Sequence, residues 1–356
     1  MSVWRVMSWR RGLLALIILG AIAFAILRFT PSDTYLFVPN SARPVAPLVH
    51  VPDDQESTGK GGIFMVDISV KRASLFERLF PGLSEESTLV PGDVLNPEGV
   101  SDEQRRRRSA LQMTTSQEVS AAVALRALGY DVATNESGAV VDLVQPDGAA
   151  SGVLQPGDVI IEANGHEVKT LADLQDAMAD VTPGRTVAVS YQRSGGVESA
   201  EFETQASADD PGRALIGVRV EQAADIQLPI PVEIDTGNVG GPSAGLAFAL
   251  DVVDELGTDL DRGRTVVATG ELGIDGTVTA VGGVKQKTFS ARDVDADIFI
   301  VPKDRNNDET ALEHAGDVEI IAVETFGEAV EALTGEPVSA IAGDRLESPA
   351  SQAAGR

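Results

Sequence analysis

Residues Val239 to Leu250 read V-G-G-P-S-A-G-L-A-F-A-L. Gly240, Gly241 and Pro242 set a sharp turn, and Ser243 follows at once. A run of small and apolar residues then reaches Val253, broken only by Asp251. It is long enough for about three helical turns and is apolar on nearly all sides, the pattern of a core helix. The pattern predicts Ser243 in the first helical turn, beside backbone N–H groups without intrahelical partners. Such a position favours developing negative charge. An acyl-transfer nucleophile needs that setting, with an exposed hydroxyl and amides aimed at an oxyanion. A serine that merely caps a helix has the same local sequence.

The 356 residues allow two or three domains. Hydrophobic residues make up 43% but aromatics only 4%, so Val, Leu, Ile and Ala build the cores. A net charge of −26 repels nucleic acid, and no basic patch offsets it. The chain has no cysteine, which excludes disulfides, thiol catalysis and cysteine-ligated metals. Its three histidines, His50, His166 and His314, are far apart in sequence and give no metal-site pattern. No metal and no cofactor is expected.

Arg5, Arg10 and Arg11 precede an uncharged run from Gly12 to Leu27, closed by Arg28. With Trp9 or Phe29 added, this run is long enough to cross a bilayer core of about 30 Å. The basic flank puts the N-terminus in the cytoplasm and residues 31–356 outside. Small-x-small sites at Ala21–Ala23 and Ala23–Ala25 offer the alternative of a cleaved signal peptide. Both lie inside the apolar run, which favours an uncleaved anchor in the cell membrane over residues 1–30. Residues 31–125 form a β/α region whose strongest strand is Gly62–Val70. Arg105 to Arg108 is a basic run in an acidic chain, read as a solvated helix face or a contact to anionic lipid or a partner.

From Leu128 the order is specific. L-G-Y-D-V opens it, A-A-S-G-V-L-Q-P-G-D-V-I forms its centre, and N-G at 164–165 is a tight hairpin turn. Thr170 then caps a helix whose Leu171, Leu174, Ala177 and Met178 recur at helical spacing. Residues 126–205 resemble a PDZ domain, a β-barrel-like module that binds an extended or C-terminal peptide as an added strand. The resemblance implies that amides at Leu128, Gly129 and Tyr130 receive the peptide carboxylate. It also implies that Leu171, Leu174 and Met178 shape the groove, although each could equally be core.

Downstream, T-G-E-L occupies 269–272, V-G-G-V-K-Q-K occupies 281–287 and V-P-K-D occupies 301–304. Together with G-G-P-S-A-G-L at 240–246, these motifs make residues 212–336 closely resemble the proteolytic α/β domain of the Lon protease family. The resemblance implies a Ser–Lys dyad, with Ser243 as nucleophile and Lys285, the first lysine of G-G-V-K-Q-K, as general base. Lys287 takes the adjacent non-catalytic place. Thr269 orients the lysine, and Gly241 and Pro242 support the turn. A lysine can accept a serine proton near neutral pH only when burial lowers its pKa by several units.

Two departures stand out. The place three before the serine, acidic at many Lon-family sites, is Gly240. No G-x-x-x-x-G-K-[ST] phosphate loop occurs in the sequence, so ATP-driven unfolding is not expected.

The reading is therefore an α+β multidomain protein with a transmembrane helix, a PDZ module, a Lon-type proteolytic domain and a disordered tail over 337–356. Nearly the whole chain resembles bacterial membrane-anchored, Lon-like PDZ proteases. Such a chain is expected to act as an ATP-independent serine endopeptidase on exported or membrane-associated proteins. Its partners are protein or peptide substrates and the membrane, and it can self-associate. The rivals are a catalytically silent PDZ adaptor and a C-terminal processing type of Ser–Lys protease. The strand at 63–70 is expected to pair with the protease sheet, which would make the PDZ module an insertion.

Overall fold

The computed structural model describes residues 3–52, 61–95, 102–237 and 239–341. Helix α1 (Val3–Phe29) contains an apolar stretch, Arg11–Phe29, none of it buried by the rest of the protein. β1 (Pro31–Pro39) follows almost directly and lies between β3 (Ile68–Ser74) and β4 (Thr88–Pro91) in a small antiparallel sheet. The short helix α2 (Leu75–Leu79) continues from β3 and is closed at its start by a capping box between Ser74 and Glu77.

The expected strand at 62–70 is two strands. β2 (Gly62–Met65) belongs to one sheet and β3 to another, with Val66 and Asp67 at the break. β2 runs parallel to β10 (Thr265–Ala268), which is followed by β11 (Ile298–Pro302) and β12 (Glu319–Val323), all parallel. β11 is buried at every position, as befits an inner parallel strand. Val49–His50 also pairs with Glu233–Ile234. Segments from before and after the PDZ module thus build one domain.

Two helices fill that domain. α3 (Asp102–Ala127) lies against α5 (Gly245–Glu255), whose residues are buried almost throughout. Their approach is close enough for Ser120 Oγ to donate to the Gly245 carbonyl at 2.9 Å. A Cβ at Gly245 would sit 2.8 Å from Ser116 Oγ, so only glycine fits there. Helix α6 (Val284–Asp293) packs beside the sheet, and α7 (Phe326–Thr334) buries Phe326, Ala329, Val330 and Leu333.

The chain leaves this domain after α3 and returns at Glu233. Between them β5 (Ala133–Val144), β6 (Val159–Ala163), β7 (Thr186–Arg193), β8 (Gly196–Glu203) and β9 (Val218–Gln227) form the PDZ sheet in the order β8-β7-β6-β5-β9. Helix α4 (Leu171–Ala179) covers it over a separate core of Ala139, Val141, Ile160, Val187, Val189 and Phe202. The module thus runs past the expected limit at 205, because β9 is its edge strand. At the other end the described residues reach into the tail expected over 337–356, and Ile341 is buried in the protease core; residues 342–356 lie outside the described residues.

Candidate active site

Ser243 lies in the turn before α5, two residues ahead of its first helical residue, rather than in the first helical turn. Gly241 adopts φ +92°, a conformation that suits glycine, and Gly245 N–H donates to the Pro242 carbonyl at 3.2 Å. The amides of Ser243 and Ala244 find no acceptor among the described residues. They stand beside the hydroxyl, where an oxyanion needs donors.

The lysine that shares a cleft with Ser243 is Lys287. Both line a cleft of about 830 Å³ together with Phe37, Asp67, Val70 and Ser109. Lys287 is 2% exposed, and its Nζ donates to Thr269 Oγ1 at 3.0 Å. Thr269, itself fully buried, donates to the Ser243 carbonyl at 3.0 Å. Burial pushes the Lys287 amine down to about 7, partly opposed by the negative charge of Asp67.

Lys285, expected to be the base, is half-buried and does not line this cleft. Two residues along a helix are a rotation of about 200°, so the two lysines cannot share a face. The helical period separates the two lysines. Val284, Lys287, Thr288 and Ala291 stand at i, i+3, i+4 and i+7, and all four are buried.

Asp67 was missed because it sits at an unforeseen strand break. Asn40 Nδ2 donates to both its oxygens at 3.2 and 3.1 Å, and Arg43 lies 3.4 Å away. An acid at position 240 has no room: a Cβ there would lie 2.6 Å from Ser109 Oγ and 3.3 Å from the Ser109 backbone carbon. The cleft takes its carboxylate from upstream instead.

The basic run also has a definite place. Arg107 donates to Gln155 of the PDZ module at 2.5 Å. Arg108 and Arg219 grip opposite oxygens of the buried Asp142, at 2.5 and 2.7 Å. The next residue, Ser109, accepts from the Gly241 amide at 2.8 Å. One turn of α3 therefore touches both the PDZ sheet and the loop before Ser243.

Leu171, Leu174 and Met178 do line a groove, a cleft of about 870 Å³ whose opposite wall is Ala214 to Val218 and Val220. Leu128, Gly129 and Tyr130 are not part of it. Their amides are consumed by the carbonyls of Ala124, Arg126 and Leu125 at the end of α3, and Leu128 is buried in the protease core. At the groove, Gly217 has φ +79° and the amides of Ile216 and Gly217 find no acceptor among the described residues. Sequence spacing hid this because Ile216–Gly217 lies beyond the expected end of the module.

Residues 126–204 match the PDZ domain family, and residues 215–335 match the Lon protease (S16) C-terminal proteolytic domain. Lon protease 2 of Bacillus subtilis is 33% identical over 32% of this chain and 19% of its own length. The archaeal Lon protease of Halobacterium salinarum is 34% identical over 33% of this chain and 17% of its own. The chain thus spans about a fifth of the length of these relatives. The PDZ domain of an SdrC-like protein from Listeria monocytogenes is 28% identical, covering 24% of this chain and 87% of that one, with a TM-score of 0.22. The chain carries a PDZ domain followed by a Lon-type (S16) proteolytic domain, behind an N-terminal apolar helix.

Proposed function

We propose that the protein is an ATP-independent serine endopeptidase with Ser243 as nucleophile and Lys287 as general base. The observation that carries this is a buried lysine, with its pKa near neutrality, lining the same cleft as Ser243. A neutral Lys287 amine takes the proton of Ser243 Oγ as that oxygen attacks the scissile carbonyl. The resulting oxyanion is met by the free amides of Ser243 and Ala244. The Lys287 ammonium then returns the proton to the leaving amine, and water releases the acyl group by the same path. Thr269 holds Lys287 in place and ties it to the backbone of Ser243.

The PDZ groove takes an extended peptide along the free edge of β9, with its terminal carboxylate at the amides of Ile216 and Gly217. The helix α1 anchors the chain in the membrane, with the protease domain on the non-cytoplasmic side. Cleavage of an unfolded model protein by residues 31–341 without ATP tests the catalytic reading. Ser243→Ala and Lys287→Ala abolish cleavage, and Lys285→Ala retains it. If Ser243→Ala and the unmutated protein behave alike in cleavage and peptide binding, the molecule is a PDZ adaptor.

A further inference from the structure

The protease domain is built onto the end of α1 with no linker between them. β1 begins at Pro31, two residues past the last residue of α1, Phe29. The Leu75 amide at the start of α2 donates to the Thr30 carbonyl at 2.9 Å. Phe24 of α1 meets Phe76 of α2 edge to face, with ring centroids 5.2 Å apart, and Phe76 meets Phe80 at 5.1 Å. Phe24 lies roughly five residues, about 7 Å, inside the end of α1 at a rise of about 1.5 Å per residue. The medium around Phe24 is therefore also the medium around Phe76.

Beyond Phe76, Leu79 and Phe80 are 60% and 50% exposed. Three large apolar side chains thus stand together beside the apolar helix. Basic residues rim them in a chain of net charge −26: Arg28, Lys71 and Arg72 share a small cleft, and Arg78 lies on α2 itself. Lys71 pairs with Glu77 and Arg78 with Asp33.

We infer that Leu75–Phe80 is an interfacial wedge that sits in the same bilayer leaflet as the end of α1. Phe76, Leu79 and Phe80 lie at the acyl boundary and the basic rim lies at headgroup level. The partner is the lipid bilayer, because α2 packs on the apolar helix and continues its surface. This rests on the membrane reading of α1 given above. The wedge fixes the height of the active site. β1 runs from the membrane-side end at Pro31 to the cleft wall at Phe37, about 20 Å along the strand at about 3.3 Å per residue.

The test places single tryptophans in the full chain after Trp4→Phe and Trp9→Phe, reconstituted in phosphatidylcholine–phosphatidylglycerol vesicles with brominated acyl chains. Three probes are compared: Ile17→Trp in the middle of α1, Phe80→Trp in the wedge, and Val197→Trp on the exposed PDZ surface. The expected result is strong loss of emission for the first two and none for the third. Loss for Ile17→Trp with an unquenched Phe80→Trp overturns the wedge and leaves the anchor standing. No loss for either overturns the anchor reading, and the wedge with it. Leu79→Trp repeats the measurement should Phe80→Trp fail to fold.

Discussion

Lys287 Nζ donates to Thr269 Oγ1 at 3.0 Å, while the neighbouring lysine, Lys285, turns away from the Ser243 cleft. The two side chains are chemically alike, so replacing each by alanine isolates position. Lys287→Ala is expected to lower kcat/KM by about 10³-fold, within the range of about 10² to 10⁴ for loss of a general base. Lys285→Ala is expected to leave it near the unmutated value. Thr269→Val should fall between them, with the loss mainly in kcat, because the base remains but is no longer held.

The pH profile follows from the burial of Lys287. Its amine is neutral, and so able to accept a proton, above about 7, so kcat/KM should rise as pH passes through that value. Asp67 favours the charged amine. Asp67→Asn therefore moves the rise to lower pH, whereas a purely structural role for Asp67 would lower activity without moving it.

The same burial has a cost. Above about 7 the folded state has released a proton that the unfolded chain holds up to about 10.4, so stability increases with pH across that window. The penalty below it is on the order of 5 kcal/mol, at about 1.4 kcal/mol per pH unit across that window. Lys287→Met should raise the melting temperature at pH 7 by several degrees while abolishing cleavage. The gain should fade toward pH 10. A variant that is both inactive and less stable would refute the buried-amine assignment.

Much of this was legible in the sequence for a physical reason. Ser243, Thr269 and the PDZ helix are marked by local patterns: a Gly-Gly-Pro turn, a short motif, a capped periodic helix. What local pattern did not carry was which face of α6 lines the Ser243 cleft; it is the face that holds Lys287, beside the buried Val284 and Ala291. Asp67 and Ile216–Gly217 depend on long-range topology. One sits where a strand changes sheets, and the other sits where an edge strand rejoins the PDZ sheet from outside its expected limits.

The groove and the core make opposite demands on leucine. Leu174→Asp faces the cleft opposite Val220 and should abolish peptide binding, measured by fluorescence anisotropy, with cleavage of an unfolded protein retained. Leu128→Ala removes a core side chain and should cost about 2–5 kcal/mol without changing the affinity of the folded protein for peptide.

The peptide groove and the nucleophile are joined by a short chain of contacts. β9 forms a wall of the peptide groove and carries Arg219, which shares Asp142 with Arg108. Arg108 is followed by Ser109, whose carbonyl holds the Gly241 amide two residues before the nucleophile. A peptide that shifts β9 therefore pulls on the catalytic turn through two ion pairs and one hydrogen bond. Peptide binding should change kcat in the unmutated protein. Arg108→Gln should leave peptide affinity intact, because Asp142 keeps Arg219, and should remove the change in kcat. Gly240→Ala drives a methyl group into Ser109 and should lower kcat at every peptide concentration, with partial recovery in Ser109→Gly. If Arg108→Gln responds to peptide like the unmutated protein, the PDZ module recruits substrate and does not gate the site.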